Sequence, residues 1–481
     1  MDCTDGLPFA WKSTKLSEIA EINPGLPDRN LPDNMEVSFL PMKAVEQISG
    51  RIDLTLTVNF AKVKKGYTPI TNGDIIFAKI TPCMENGKIA IVDNLKNGIG
   101  FASTEFHVIR LRDEAIPRKF IFYCLIQQDF RNEARRNMTG TAGQLRVPAK
   151  YMKDVSIPFP PISEQRRIVA KIEALFAESK TAREALDKVP VLLRRFRQSV
   201  LTKAFRGELT KRDSNDESVQ KLLGKIKKER EKGKQLSLTE SEGIFSDLEE
   251  LPETWAWTTI GDLFEITSGG TPRRNRPEYW RDGDIAWVSS GEVAFSDITQ
   301  TREHITKEGL ENSSAKLCSP GTVLLALYGE GKTRGQVAIL RILAATNQAI
   351  ACISCSETSM PSEYLYWWLY HRYFETRRIG EGANQPNIYL HHVRAMPFPL
   401  APISEQRRVV ARIRELFSIA DDVETNVEKA KRRTDSVDQA VLVKAFRGEL
   451  VPQYPNDEPA SMLLERISAA SKLDKSLQKR L

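Results

Sequence analysis

Apolar positions follow two rhythms that alternate along the chain. After Pro161, small or apolar residues recur in steps of four and three: Ile168, Ile172, Leu175, Ser179, Ala182, Leu186, Val189, Leu193, Phe196 and Val200. After Pro402 the rhythm returns in Val409, Ile413, Leu416, Ala420, Val423, Val427, Ala430, Thr434, Val437 and Val441. About five heptads with charged flanks predict two long helices with a coiled-coil seam. Ser163 and Ser404 are expected N-caps. Glu164 and Glu405 fall in the first turn, where the helix dipole favours an acid. Gly207 and Gly448 are expected C-caps. A helix from Ser163 to Gly207 has about 45 residues and a length of roughly 65 Å. Pro190 interrupts the first seam only, so a kink or break is expected there. The competing arrangement is a helix packed on its own globular domain.

The stretches before these helices have a shorter period. "SFLPMKAV", "GDIIFAKI", "GKIAIV" and "FHVIRLR" are brief β-branched and apolar runs broken by Gly, Asn and Pro, and they predict strands. "PRKFIFYCLIQQDFRNEARR" and "SEYLYWWLYHRYFETRRI" have helical periodicity and are expected to cover the sheets.

The two halves repeat. "PISEQRRIVAKIEALF" starts at Pro161 and "PISEQRRVVARIRELF" at Pro402, an offset of 402 − 161 = 241. "VLTKAFRGELT" at Val200 and "VLVKAFRGELV" at Val441 keep that offset, as do "ESVQKLLGKI" at Glu217 and "EPASMLLERI" at Glu458. The preceding segments match more loosely: "LPFAWKSTKLSEIAEI" with "LPETWAWTTIGDLFEI", and "GDIIFAKITPCMENGKIAIV" with "GTVLLALYGEGKTRGQVAIL". The order is therefore variable domain, shared helix, variable domain, shared helix. The expected division is 1–160, a first domain; 161–212, a central helical region; 213–250, a basic helix end and linker; 251–401, a second domain; 402–451, a distal helical region; and 452–481, a helical tail.

Bulk composition adds little. The 481 residues exceed one ordinary core, and 41% hydrophobic with 28% charged residues suits a soluble globular protein. With 70 Lys and Arg against 63 Asp and Glu, the net charge of +7 permits nucleic-acid binding without requiring it. The run "KLLGKIKKEREKGK" reads as a solvated helix end, since its counterpart "LLERISAASKLDK" is far less basic. No apolar run approaches the ~20 residues of a membrane span, and the N-terminus lacks a basic-then-apolar signal pattern. Of the cysteines at 3, 83, 124, 318, 352 and 355, only Cys352 and Cys355 form a CxxC. They lie in the strand-like "AIACISC" with no second pair nearby, and read as reduced core thiols in a reducing, cytoplasmic compartment.

A domain closing on a Gly-rich loop and "PFPPISEQRR", then a long helix closing on "KAFRGEL", all duplicated, resembles the specificity subunit of type I restriction–modification systems. The resemblance covers essentially the whole chain. It implies an α+β fold: two mixed, strand-rich target-recognition domains separated by two long helices packed as an antiparallel coiled coil, with pseudo-two-fold duplication. It further implies that each domain reads half of a split double-stranded DNA site while the helices set the spacing. Two methyltransferase subunits would dock on the helices, two motor-nuclease subunits would join, and no catalytic residue would reside in this chain.

Base edges are read by Arg, Lys, Asn, Gln, Ser and Thr, while phosphate contacts only position a protein. The loop "MTGTAGQLRVPAKYMKDVSIPFPP" offers Thr139, Thr141, Gln144 and Arg146. Its counterpart "GEGANQPNIYLHHVRAMPFPLAP" offers Asn384, Gln385 and Asn387, and "TSGGTPRRNRPEYW" adds Thr271, Arg273, Arg274, Asn275 and Arg276. The candidates for methyltransferase docking are Arg166, Arg167, Phe205 and Arg206, with Arg407, Arg408, Phe446 and Arg447 in the second copy.

Catalytic signatures are missing. "NQPNIY" lacks the paired prolines of an adenine methyltransferase, no D…ExK cluster suggests a nuclease, and the histidines at 107, 304, 371, 391 and 392 form no HExxH. No cofactor or metal is expected. "ALYGEGKT", residues 326–333, fits a loose phosphate-binding loop, which would make the chain an NTPase. Such a loop must open a helix. Here Arg-Gly-Gln-Val-Ala-Ile-Leu follows, and the first-domain counterpart has the same strand–turn–strand outline without Gly-Lys-Thr. A hairpin tip is expected, with Lys332, Thr333 and Arg334 as candidate DNA contacts. A scaffold with protein-binding domains is the other alternative.

Overall fold

The computed structural model describes residues 7–26, 30–141, 143–230, 248, 250–329, 331–356, 358–379 and 387–478. The chain divides into two compact units, Met1–Asp187 with Glu428–Leu481 and Lys188–Val427. Each long helix therefore begins in one unit and ends in the other.

In the first unit, Ala20–Ile22, Phe106–Leu111, Ile75–Ala78 and Ile89–Ile91 form an antiparallel sheet in that order. A second sheet runs Thr57–Asn59, Glu36–Leu40, Ile99–Ala102, Thr68–Thr71, with its two central strands parallel. Lys12–Lys15 pairs with Ser156–Phe159, so the domain's first and last strands close on each other. The strands predicted from β-branched runs are present, and "PRKFIFYCLIQQDFRNEARR" forms helices Arg118–Ile126 and Gln128–Arg136.

The second unit repeats this plan. Its larger sheet runs Glu265–Ser268, Ile350–Ser354, Val323–Ala326, Val337–Leu340, Asp297–Ile298, the last strand being an addition. The smaller runs Glu303–Ile305, Ile285–Val288, Ala344–Thr346, Leu317–Cys318, again with parallel central strands. Ala256–Thr259 closes on Pro397–Leu400. Looser sequence similarity thus conceals the same topology, because a strand needs only alternation and turn residues to be kept. Cys318, Cys352 and Cys355 are buried free thiols, and burial pushes the Cys355 thiol up to about 12.

The first long helix spans Ile162–Phe205 and the second Ile403–Arg447. Pro190 lies inside the first, which continues through it without a break. In the first unit Arg183 pairs with Asp435 and Asp438, and Asp187 with Lys431, so the helices run antiparallel. In the second unit Arg197 pairs with Asp421 and Glu424.

The seam is buried at its ends, at Ile168, Ile172, Val200, Val409, Ile413 and Val441. Ala182, Phe196, Val423 and Val437 are exposed instead. Two helices with 3.6 residues per turn drift off a strict heptad seam, and no third element covers the middle. The ends are covered by the domains, so the competing arrangement is realised there. Ile168 and Ile172 belong to the first unit's core, with Val441, Leu442 and Phe446 from the second helix. Val200, Leu201 and Phe205 join Val409 and Ile413 in the second unit's core. Each helix ends in the core of the unit opposite to its start, and Phe446 meets Phe120 while Phe205 meets Tyr364 and Trp368.

Ser163 and Ser404 are not N-caps. The helices start one residue earlier, which places each serine in the first turn, and its hydroxyl donates to Asp457 at 2.6 Å or Asp216 at 2.5 Å. The C-caps are as expected. Gly207 and Gly448 have φ of 70° and 76°, and the next amide donates to a carbonyl five residues back, Glu208 to Lys203 and Glu449 to Lys444. Short helices follow both, Val219–Arg230 and Ala460–Gln478. Leu222 and Ile226 of one and Leu463 and Ile467 of the other complete the respective cores.

Candidate nucleic-acid interface

The strands Val323–Ala326 and Val337–Leu340 pair antiparallel, so "GEGKT" is the tip of a hairpin and opens no helix. Gly329, Gly331 and Gly335 have φ of 139°, 63° and 83°, which a side chain rarely tolerates. The tip is clamped from the helical segment behind it. Arg377 donates to the carbonyls of Gly331 (2.5 Å) and Arg334 (3.2 Å), and the Tyr373 hydroxyl donates to that of Lys332 (2.6 Å). Arg334 returns a bond to the Arg377 carbonyl at 3.3 Å. Burial, then the charge of Arg377, lowers the Arg334 pKa. Lys332 is exposed, as are Arg378 and Phe374 nearby in sequence. Cationic groups therefore crowd around a rigid, outward-facing tip, an arrangement that an anion relieves.

The first domain uses the same device. Arg131, buried at 4% exposure, donates to the Glu85 carbonyl in the connection between Ile75–Ala78 and Ile89–Ile91. It also bonds the Ile126 carbonyl at 3.1 Å and Gln128 Oε1 at 2.8 Å. Against this connection lies the Gly-rich loop: the Thr81 amide donates to the Leu145 carbonyl and the Val147 amide to that of Lys79. Thr139, Thr141 and Gln144 are exposed on it. Arg146 forms a two-pronged pair with Glu105 at 2.8–2.9 Å, which holds the Glu105 carboxyl below its usual value and fixes the loop.

Arg274 is similarly engaged. It forms a two-pronged pair with Glu303 and sits 3.7 Å over the Trp280 ring. Arg273, Asn275 and Arg276 beside it are exposed, and Thr271 donates to Gln348 at 2.6 Å. Asn387 is half-buried, while Asn384 and Gln385 lie outside the described residues.

At the base of each domain the motif "ISEQRR" folds inward. Trp11 Nε1 donates to Glu164 at 3.0 Å and Trp255 Nε1 to Glu405 at 2.9 Å. Burial raises both carboxyl pKa values, with the Trp hydrogen bond opposing. Arg167 and Arg408 pair with Asp457 and Asp216 at 2.6 Å. Phe205 and Phe446 are core residues, 4% and 6% exposed. Of the docking candidates, Arg166, Arg206, Arg407 and Arg447 present exposed side chains. The clamps of Arg131 and Arg377 were not foreseen from sequence, because each links residues 46 apart without a shared motif. The Asp216 and Asp457 partners share the offset of 241 and were readable from it.

The architecture is that of an internally duplicated protein with two similar α+β domains, each seated on an antiparallel pair of helix halves. The profile of the type I restriction modification DNA specificity domain matches residues 8–189 and again 252–430. The chain belongs to that family. It is 27% identical to the specificity subunit of the type I restriction enzyme EcoAI of Escherichia coli, over 89% of this chain and 80% of that one. It is 28% identical to the EcoEI specificity subunit of the same organism, over 89% and 81%. In fold it resembles the HsdS subunit of Thermoanaerobacter tengcongensis, with a TM-score of 0.65, 21% identity and coverage of 93% and 100%. A second solved type I restriction–modification structure gives a TM-score of 0.60 at 21% identity, covering 92% and 99%.

Proposed function

We propose that the chain is the DNA-reading, non-catalytic subunit of a type I restriction–modification complex, each domain recognising one half of a bipartite duplex target. The observation that carries this is the duplicated clamp. In both domains a buried or half-buried arginine pins a hairpin between two sheet strands, next to exposed residues able to read bases or phosphates. Lys332, Thr333 and Arg334 serve the second half-site, with Arg273, Arg274, Asn384, Gln385 and Asn387. Thr139, Thr141, Gln144 and Arg146 serve the first. The long helices set the spacer between half-sites. Two methyltransferase subunits dock on them through the exposed Arg166, Arg206, Arg407 and Arg447, and two motor-nuclease subunits complete a restriction enzyme in the cytoplasm. Among the described residues, no helix is long and apolar enough to cross a membrane.

The test is methylation-aware sequencing of host DNA with and without this gene. The expected result is one split motif that loses its methylation when the gene is removed. Unchanged methylation at every motif would refute the reading. A heptad inserted into both long helices should lengthen the spacer and leave both half-sites unaltered; an unchanged spacer would refute the role of the helices.

A further inference from the structure

The two long helices come from one repeated sequence, yet they carry opposite charges where they meet. Four basic residues of the first helix, Lys180, Arg183, Arg194 and Arg197, correspond through the offset of 241 to Asp421, Glu424, Asp435 and Asp438 of the second. All four positions are inverted in sign, within a segment whose ends, "PISEQRR" and "KAFRGEL", are identical in both copies.

These positions face one another. In the first unit Arg183 Nε lies 3.0 Å from Asp435, and Arg183 also pairs with Asp438. In the second unit Arg197 lies 2.5 Å from Asp421 and 3.0 Å from Glu424. The Arg197 side chain is 19% exposed and that of Asp438 17%, so the contacts are only partly screened by water. In repeat coordinates, position 183 meets 194 and 197 of the partner helix, and position 197 meets 180 and 183. If two first helices paired in this register, Arg183 would meet Arg194 and Arg197, and Arg197 would meet Lys180 and Arg183. If two second helices paired, Glu424 would meet Asp435 and Asp438, and Asp438 would meet Asp421 and Glu424. Each of these contacts is repulsive. The pair Asp187–Lys431 takes no part, since its counterparts are Pro190 and Glu428.

We propose that this inversion is a pairing code: the seam accepts only a helix of the opposite repeat and refuses a copy of itself. Nearly identical repeats otherwise pair like with like, because their apolar seams are interchangeable. The surface thus fits one kind of partner, the acidic helix of a second half, whether from the same chain or another. It excludes assembly of two first halves, which would present two copies of one recognition domain. The need arises during synthesis, when the first helix is complete at Phe205 and the second does not yet exist.

The test uses the full chain in three forms. Form one changes Lys180, Arg183, Arg194 and Arg197 to Glu. Form two changes Asp421, Glu424, Asp435 and Asp438 to Lys. Form three combines all eight changes. Forms one and two should melt at least about 5 °C below the parent at low salt. Their deficit should shrink at about 1 M salt, where screening acts within a few ångström. Form three should melt within about 2 °C of the parent. Should form one or two fail to fold, form three still decides, since it carries the same substitutions. Forms one and two refolded together should give mixed dimers by light scattering. The code is overturned if form three is no more stable than forms one and two, if those melt like the parent, or if either self-associates as the mixture does.

Discussion

Arg167 and Asp457 lie 290 residues apart and meet at 2.6 Å, and Arg408 and Asp216 meet at the same distance in the other repeat. Each aspartate also accepts from the first-turn serine of its long helix, so the loop after one helix is latched to the start of the other. The Arg167 hydrogen bond, with smaller help from Ser163, holds the Asp457 carboxyl below its usual value; Arg408 does the same for Asp216. A lowered folded value means stability that is present above the unfolded pKa, about 4, and lost as pH falls through the folded one. Arg167→Ala should cost about 2 kcal/mol at neutral pH, because it strands a mostly buried carboxylate. The deficit should shrink toward pH 3, as checked by urea unfolding at both pH values.

Glu164 and Glu405 have the opposite sign. Burial raises each folded pKa, so their contribution is fully present below the unfolded value and is lost as pH rises through the folded one. Glu164→Gln keeps an acceptor for Trp11 and removes the titration. Its stability relative to the parent should improve steadily between pH 4 and pH 7 in thermal melts. A difference independent of pH would contradict this.

Gly207→Ala and Gly448→Ala should each destabilise by about 1–3 kcal/mol, from the left-handed backbone that each cap requires. The space is closed as well: an added Cβ would sit 2.4 Å from Pro252 at position 207 and 2.4 Å from Pro8 at 448. Gly224→Ala, in the interior of a helix with open space around it, is the control and should stabilise slightly in the same chemical denaturation series.

Arg377→Ala frees the carbonyls of Gly331 and Arg334 while leaving the strands paired. Melting should change little. Affinity for duplexes should fall about tenfold, equivalent to about 1.4 kcal/mol. The loss should vanish on targets already altered in the half-site read by the second domain, and persist on those altered in the other. Lys332→Ala should weaken the same half-site and leave nucleotide binding at background.

Much of this was legible in sequence, and the exceptions have physical causes. The fixed offset revealed the duplication, the heptads revealed the helices, and the strand after Arg334 excluded a phosphate-binding loop. Ser163 was misread because a serine one residue inside a helix looks the same as a serine at its cap. Phe205 and Phe446 suggested a docking surface because a repeated aromatic is noticeable, yet each fills the core of a domain far from it in sequence. Arg146 and Arg274 looked like free cations, since their partners Glu105 and Glu303 lie 41 and 29 residues away. The charge inversion along the helices was in plain view but acquires meaning only once the register is known.

Exchange of residues 1–160 for the first domain of another family member tests the central claim most directly, with the methylated motif read by sequencing. The account predicts a motif changed in one half-site, with the other half-site and the spacer retained. A motif changed in both halves would contradict it.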